Sequence, residues 1–152
     1  MTKIPPSDLV LLDTNILVAY IRANKLSEYI ESEYELLSRP ERPLICVVTI
    51  GEIFALAADF KWGSPKIEKM RELLRELVAV DISDDSILEK YAEIRSNLKN
   101  QTPSITIQQN DMWIAAVASV TGAHLISTDT DFKRIPPSFI QLHWIDETVT
   151  KA

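Results

Sequence analysis

The sequence predicts a single α/β domain over residues 1–152, with helices on both faces of a mainly parallel sheet. Short apolar runs of strand length alternate with longer segments whose apolar residues recur at helical spacing. No internal repeat, low-complexity segment or linker divides the chain. A length of 152 residues with 46% hydrophobic residues also suits one domain with its own core.

The first part of the chain contains two predicted strands separated by two predicted helices. Asp8–Asp13 is a continuous apolar run that ends in an acid, which is typical of a buried strand. Thr14–Ala23 and Lys25–Ser38 follow, with apolar residues spaced as in amphipathic helices. Two prolines then interrupt the chain, and Leu44–Val48 is predicted to be a second buried strand.

The middle of the chain continues this alternation. Apolar residues at helical spacing predict a helix over Thr49–Lys61. Ser64 is expected to cap the next helix, because Pro65 suits a first helical position and Lys66–Leu77 carries an apolar stripe. Val78–Ile82 is then the third predicted strand.

One helix in the second half differs from the others in being apolar nearly all round. Ser83 is expected to cap a helix that ends before the polar loop Asn100–Gln108. The segment that follows, Gln109–Ala118, is apolar on every side except for Asp111, which indicates a buried helix. Gly122 is expected to end this helix in a left-handed conformation.

The last part of the chain supplies the remaining strands. His124–Ser127 is predicted to be the fourth strand, and Thr128–Pro137 a loop or short helical turn. Phe139–Ile145 alternates in polarity and is predicted to be the final strand.

Composition limits the classes of partner and compartment. A net charge of −6 argues against a broad electrostatic grip on nucleic acid, although cations bound at a local acidic cluster would reverse its charge. Cys46, the only cysteine, lies within a predicted strand and is expected to be a buried thiol in a reducing, cytoplasmic environment. The apolar run Leu9–Ile21 is too short and too polar to span a bilayer, so no membrane partner is expected.

Acidic residues follow several predicted strands. Asp13 ends the first strand, Glu52 follows the second, and Asp129 follows the fourth. The carboxyl ends of parallel strands share one rim of a sheet, where ligands bind. Asp111 joins that rim because its helix leads into the fourth strand, and no Lys, Arg or His between Lys99 and Gly122 offers it a local partner.

Converging carboxylates repel one another by about 4 kcal/mol per pair at 4 Å in a dielectric near 20, so they favour a bound cation. Oxygen ligands at a partly open site suit Mg²⁺ or Mn²⁺. A cation held there can activate water for hydrolysis of a phosphodiester. Thr14, Asn15 and Thr128 are expected to orient the acids by hydrogen bonds.

Each acid also has a purely structural interpretation. Thr49 and Glu52 fit a capping box, Asp129 a turn, Asp13 a loop, and Asp111 a favourable charge at a helix N-terminus. The position of all these acids at one predicted rim favours the metal site over the separate structural roles.

The acids lie within motifs that resemble the PIN-domain ribonucleases, and in particular the VapC-type toxins of toxin–antitoxin pairs. The matching segments are L-L-D-T-N-I-L (11–17), V-V-T-I-G-E-I (47–53), Q-N-D-M-W-I-A-A (109–116) and L-I-S-T-D-T-D-F (125–132). They occur in the family's order and cover nearly the whole chain, and I-Q-L-H-W (140–144) resembles the family's final strand.

The resemblance implies a three-layer α/β/α sandwich and endonucleolytic cleavage of RNA with Mg²⁺ or Mn²⁺. It also implies a homodimer and a cognate antitoxin that covers the acidic pocket. The family's metal-binding acids correspond to Asp13, Glu52, Asp111 and Asp129, with Asp131 as a further acid.

Three alternatives to the ribonuclease function remain open. The alternatives are a signalling receiver domain, a catalytically silent binding module on the PIN fold, and a DNase or structure-specific nuclease using the same acids. A receiver domain would show an adjacent acid pair after the first strand, where this chain has only Asp13.

Contacts to RNA are expected from basic residues near the rim. These residues are Arg22, Lys25, Arg95, Lys99, Lys133 and Arg134.

Overall fold

The computed structural model describes residues 3–150 and has a five-stranded sheet in the order β3-β2-β1-β4-β5. All four strand pairings are parallel, which confirms the predicted sheet. The strands are β1 (Val10–Leu12), β2 (Leu44–Cys46), β3 (Val78–Val80), β4 (His124–Ser127) and β5 (Gln141–Trp144).

α-Helices connect β1 to β2, β2 to β3 and β3 to β4, as is usual for parallel strands, whereas a 3₁₀ segment lies between β4 and β5. Three short 3₁₀ segments, Leu36–Ser38, Thr130–Arg134 and Glu147–Thr150, complete the described structure. Among helices within residues 3–150, none combines the length and hydrophobicity needed to cross a membrane. The α-helices are α1 (Thr14–Arg22), α2 (Lys25–Tyr34), α3 (Val47–Asp59), α4 (Ser64–Arg75), α5 (Asp85–Lys99) and α6 (Gln109–Thr121).

The sheet separates two hydrophobic cores. Successive residues of β1 point to opposite faces: Leu11 packs with α5 and α6, whereas Val10 and Leu12 pack with α1 to α4. Leu125 and Ile126 of β4 divide between the same two cores. Because both faces are covered, the fold is the expected α/β/α sandwich.

The boundary between β2 and α3 differs from the prediction. Cys46 is the N-cap residue, so α3 begins at Val47 and the strand is shorter than Leu44–Val48. The apolar run could not reveal this boundary, because buried strand and buried helix look alike over a few residues. Glu52 consequently lies in the second helical turn rather than the first.

Other local predictions also need correction. The predicted helix Lys25–Ser38 ends at Tyr34, because Glu35 adopts a left-handed conformation with φ 50°. Gly63, not Ser64, is the N-cap residue of α4.

At the start of α5, Asp84 replaces Ser83 as the N-cap residue. Its Oδ1 accepts a 2.8 Å hydrogen bond from the Ser86 amide, which satisfies a free amide of the first turn. The predicted end of α6 is confirmed, with Gly122 at φ 71°.

Two histidines and an acid link β4, the edge strand β5 and the segment before β1. His124 Nε2 lies 2.9 Å from Asp8 Oδ2, and His124 Nδ1 lies 2.9 Å from His143 Nε2. Burial, His124 and Lys3 together hold the pKa of His143 below its usual 6.5. His143 is therefore neutral in the folded protein at a pH where the unfolded chain already binds a proton.

We expect this histidine to destabilise the fold as the pH falls. The contribution is favourable above pH 6.5 and is lost as the pH falls through the lower, folded-state pKa. Urea unfolding of wild type and His143→Gln between pH 7.5 and 5 should show the variant losing less stability, by less than about 1 kcal/mol because the ring is half-exposed. Equal losses of stability in the two proteins as the pH falls would contradict the lowered pKa of His143.

Candidate metal centre

The sheet and its connecting helices bring four of the five predicted acids to one open cavity of about 340 Å³. Asp13 directly follows β1 and is the N-cap residue of α1. Asp111 lies in the first turn of α6, and Asp129 follows β4 as the cap of a 3₁₀ segment. The residues that line the cavity are Asp13, Thr14, Asn15, Glu52, Ala55, Leu56, Asp59, Gln108, Asp111 and Asp129.

Asp13 is held by two hydrogen bonds in a buried position. Its side chain is 3% exposed, Oδ1 accepts a 2.8 Å bond from the Thr14 amide, and Oδ2 accepts a 2.6 Å bond from Ser127 Oγ. Burial raises the pKa of Asp13 to about 6, assisted by Glu52 and Asp129, although both hydrogen bonds act in the opposite direction. The fold thus holds this carboxylate in place and makes it costly to ionise.

Asp111 has an even more unfavourable environment for a free charge. It is 6% exposed, and its Oδ2 is fully buried without a hydrogen-bond partner among the described residues. Burial and the charges of Asp129 and Asp13 raise its pKa to about 8. A buried carboxylate oxygen without a donor costs free energy, and a cation at this position would offset that cost.

Asp131 lies next to Asp111 and Asp129 but does not line the cavity. Carboxylate oxygens of Asp111, Asp129 and Asp131 lie within 4.8 Å of one another. The Asp131 amide donates to Asp129 Oδ1 at 2.9 Å, and Arg134 Nη1 lies 3.7 Å from Asp131 Oδ1. Closely spaced carboxylate oxygens with an unsatisfied buried oxygen among them fit a hard divalent cation such as Mg²⁺ or Mn²⁺.

Glu52 is oriented by Thr14 of α1. Thr14 Oγ1 donates to Glu52 Oε1 at 2.7 Å and lies 3.4 Å from Thr49 Oγ1. Thr49 is the third residue of α3 and its side chain is fully buried, so the capping-box interpretation of Thr49 and Glu52 is wrong. Instead, Glu52 faces the cavity from the second turn of α3.

The other structural interpretations coexist with the site. Asp13 and Asp129 each cap the following helical segment, and Asp111 lies in the first turn of α6. These local roles fix the backbone from which each carboxylate reaches the cavity. Asp13 and Asp129 therefore each cap a helical segment and also line the cavity.

Ser127 is a site residue that the sequence reasoning missed. Its hydroxyl donates to Asp13 and accepts from the Asp129 amide at 2.9 Å, so it links two acids from different strands. The prediction gave such a role to the Thr128 hydroxyl, but among the described residues no hydrogen bond joins that hydroxyl to an acid. The Thr128 carbonyl accepts from Trp144 Nε1 at 3.0 Å. Ser127 could have been suspected as the polar end of an apolar strand.

Replacing Ser127 by Ala should raise the pKa of Asp13 further, because a hydrogen bond to the charged form is lost. We expect stability at pH 8 to fall by about 1–2 kcal/mol, because a buried carboxylate loses a donor. Urea unfolding measures this change, and Ser127→Thr, which retains the hydroxyl, is the control. If both variants lose the same stability, the effect comes from packing and not from the hydrogen bond to Asp13.

The predicted RNA-contacting cations lie outside the acidic cavity. Among the described residues that line it, none is Lys or Arg. Arg22 and Lys25 line a separate cavity together with Glu147, and Lys133 Nζ lies 3.3 Å from the Trp144 ring centroid. Arg95 and Lys99 line a groove beside the loop that leads into α6.

Comparison with known proteins agrees with this geometry. The PIN domain family model matches residues 10–136. A chain of VapBC2 from Rickettsia felis, bound to a DNA fragment from its promoter, is 25% identical, with a TM-score of 0.75 over 91% of this chain and 99% of that chain. No curated protein matches the sequence.

Two further structures share the fold. DNA-bound VapBC from Salmonella typhimurium has a TM-score of 0.71 and 21% identity over 89% of this chain and 96% of that chain. VapBC-1 from nontypeable Haemophilus influenzae has a TM-score of 0.67 and 22% identity over 90% of this chain and 97% of that chain. The similarity extends over nearly the full length of each chain.

Proposed function

Because the chain belongs to the PIN domain family, we propose that it is a metal-dependent endoribonuclease and the toxin of a toxin–antitoxin pair. The observation that carries this proposal is the Asp111 carboxylate, which is buried, unpartnered on Oδ2 and surrounded by other acids. A bound cation would pair with this oxygen and would offset the repulsion among the acids. The receiver-domain alternative does not agree with the family match.

The proposed ligands are Asp13, Glu52, Asp111 and Asp129, with Asp131 beside them. A divalent cation held there would lower the pKa of a bound water and offset charge developing on the phosphate. Mg²⁺ and Mn²⁺ both suit all-oxygen ligands, so either would serve.

The protein's own groups orient the reacting atoms. Ser127 holds Asp13, and Thr14 holds Glu52, so both carboxylates keep fixed directions. Among the described residues lining the cavity, none is Cys, Lys or His, and the Thr14 hydroxyl is engaged with Glu52. Water is therefore the proposed nucleophile. The exposed Asn15 side chain offers an amide donor at the rim for a phosphate oxygen.

An antitoxin partner is proposed from the solved VapBC complexes and from an exposed apolar surface beside the cavity. Phe54 of α3 and Phe60, the residue that follows α3, are 48% and 67% exposed. Phe54 borders a groove of about 290 Å³ that includes Ile67 and Met70 of α4. Large exposed apolar side chains next to a functional cavity favour a protein partner. A homodimer acting in the cytoplasm completes the proposal, and sedimentation of the purified chain would test the dimer.

Cleavage of labelled RNA by the purified chain tests the proposed activity. Structured RNAs and DNA of the same sequence are incubated with EDTA, Mg²⁺ or Mn²⁺, beside Asp13→Asn and the exposed control Asp85→Asn. We expect RNA cleavage by wild type and Asp85→Asn that requires the metal and is lost in Asp13→Asn. Cleavage of DNA alone would favour the DNase, and metal-independent cleavage would contradict the proposed mechanism. An inactive protein that still binds an antitoxin would favour the binding module.

A further inference from the structure

A basic groove lies beside the loop that enters α6. It has a volume of about 240 Å³ and contains no Asp or Glu among the described residues that line it. This is unexpected in a chain with 22 acidic residues and a net charge of −6. The lining residues are Arg95, Leu98, Lys99, Ser104, Ile105, Thr106, Ile107 and Met112.

The two cations of the groove have no acidic partner. Within residues 3–150, ion pairs involve other basic residues, and neither Arg95 nor Lys99 takes part in one. They are four residues apart on α5 and therefore lie on the same helix face, where like charges destabilise a helix by a few tenths of a kcal/mol. Lys99 lies in the last turn of α5, where the helix dipole stabilises a positive charge. Arg95 lies one turn earlier and is stabilised little by the dipole.

The groove and the acidic cavity are lined by neighbouring residues of one loop and one helix. Gln108 lines the acidic cavity, while Thr106 and Ile107 line the groove. Met112, which also lines the groove, directly follows Asp111 in α6. If one phosphate of an RNA chain is bound among the acids, the neighbouring nucleotides are therefore within reach of the groove.

The loop between the two sites is anchored at both sides. The Ile105 amide donates to the Leu98 carbonyl of α5 at 2.9 Å. Arg134 Nη1 donates to the Thr106 carbonyl at 3.2 Å and lies 3.7 Å from Asp131 Oδ1, so Arg134 ties the loop to the acidic cluster. The groove is thus a preformed surface at a fixed position relative to the acids, which lowers the entropic cost of binding.

We propose that this groove binds backbone phosphates of the RNA strand adjacent to the scissile bond, with Arg95 and Lys99 as the phosphate contacts. The inference rests on the proposed function, because it takes RNA as the substrate. Unpaired cations provide the charge complementarity, and Ser104 and Thr106 add hydroxyl donors beside them. The contacts are to the backbone, so the groove contributes affinity without choosing a sequence.

Equilibrium binding to a single-stranded RNA oligonucleotide tests the groove without any cleavage. The full chain carries Asp13→Asn throughout to prevent hydrolysis, and its affinity is measured from low to physiological salt. Arg95→Gln/Lys99→Gln is compared with Arg42→Gln/Lys69→Gln, which removes the same charge from exposed residues before β2 and on α4. A charge-retaining variant, Arg95→Lys/Lys99→Arg, and circular dichroism confirm that the fold survives.

We expect the groove variant to bind RNA about tenfold more weakly at low salt, with the slope of log K against log salt reduced by about 1.4, since each single-strand phosphate contact contributes roughly 0.7. The slope for the control double variant should differ from that of the Asp13→Asn parent by less than about 0.7. Equal effects of the two double variants, no effect of either, or no RNA binding by the parent chain would each overturn the groove proposal. If only the nuclease proposal is wrong, the wild type will not cleave RNA, but the groove substitutions will still weaken RNA binding.

Discussion

Asp111→Asn is expected to abolish metal-dependent RNA cleavage and, in metal-free buffer, to make the protein more stable than wild type. The Asp111 carboxylate is buried beside Asp13 and Asp129, with a pKa raised to about 8. An uncharged amide removes the repulsion and adds a donor for the neighbouring carboxylates. It also removes a ligand that the proposed cation needs.

The stability gain should depend on pH in a defined direction. Asp111 has a folded-state pKa above its ordinary 3.8, so its stabilising protonated form is retained at low pH and lost as the pH rises through about 8. We therefore expect Asp111→Asn to exceed wild type by on the order of 2 kcal/mol near pH 8.5 and to match it near pH 4.

Chemical denaturation in EDTA measures the stability difference, and cleavage of labelled RNA in Mg²⁺ or Mn²⁺ measures activity. Asp85→Asn, which changes an exposed acid of α5, is the matched control for loss of one negative charge. An Asp111→Asn protein that cleaves RNA as fast as wild type would disprove the site assignment. A variant that is less stable than wild type at pH 8.5 would show that the carboxylate is satisfied in a way that the structure does not show.

Affinity for a divalent cation should rise steeply with pH between 6 and 8. A cation binds the ionised carboxylates, but the pKa of Asp111 is raised to about 8 and that of Asp13 to about 6. At pH 7 the free protein must therefore release a proton from Asp111 when the cation binds. We expect about a tenfold gain in affinity per pH unit from 6 to 7, levelling off above pH 8.

Calorimetric titration with Mn²⁺ in buffers of different ionisation enthalpy measures both the affinity and the proton release. Release of about one proton at pH 7 is the expected result. In Asp111→Asn, any residual binding should lose most of this proton release. Affinity independent of pH between 6 and 8 would contradict the environment described for Asp111.

The sequence predicted the parallel sheet and the rim of acids because both depend on simple periodicities. Asp13 and Asp129 each follow a strand with a buried apolar centre, and parallel strands place their carboxyl ends together whatever the details of packing. Asp111 was identifiable because it is the one acid in an otherwise apolar helix. These signals need no knowledge of side-chain contacts.

The details that the sequence did not predict depend on contacts between distant segments. Ser127 and Thr128 are adjacent polar residues at the end of β4, and only the position of Asp13 across the sheet gives Ser127 the hydrogen bond. The first residue of α3 was hidden within a continuous apolar run, where a capping side chain is absent. The groove at Arg95 and Lys99 required the loop 104–107 to fold beside α5, which composition could not indicate.

Direct counting of bound Mn²⁺ by electron paramagnetic resonance at pH 8 tests the central claim, that the rim acids together hold a divalent cation. Wild type, Asp13→Asn and Asp85→Asn are titrated under identical conditions. The account predicts saturable binding by wild type and Asp85→Asn, and its loss in Asp13→Asn, where the Asn side chain can still cap α1. Binding by Asp13→Asn equal to that of wild type, or no binding by wild type, would contradict it.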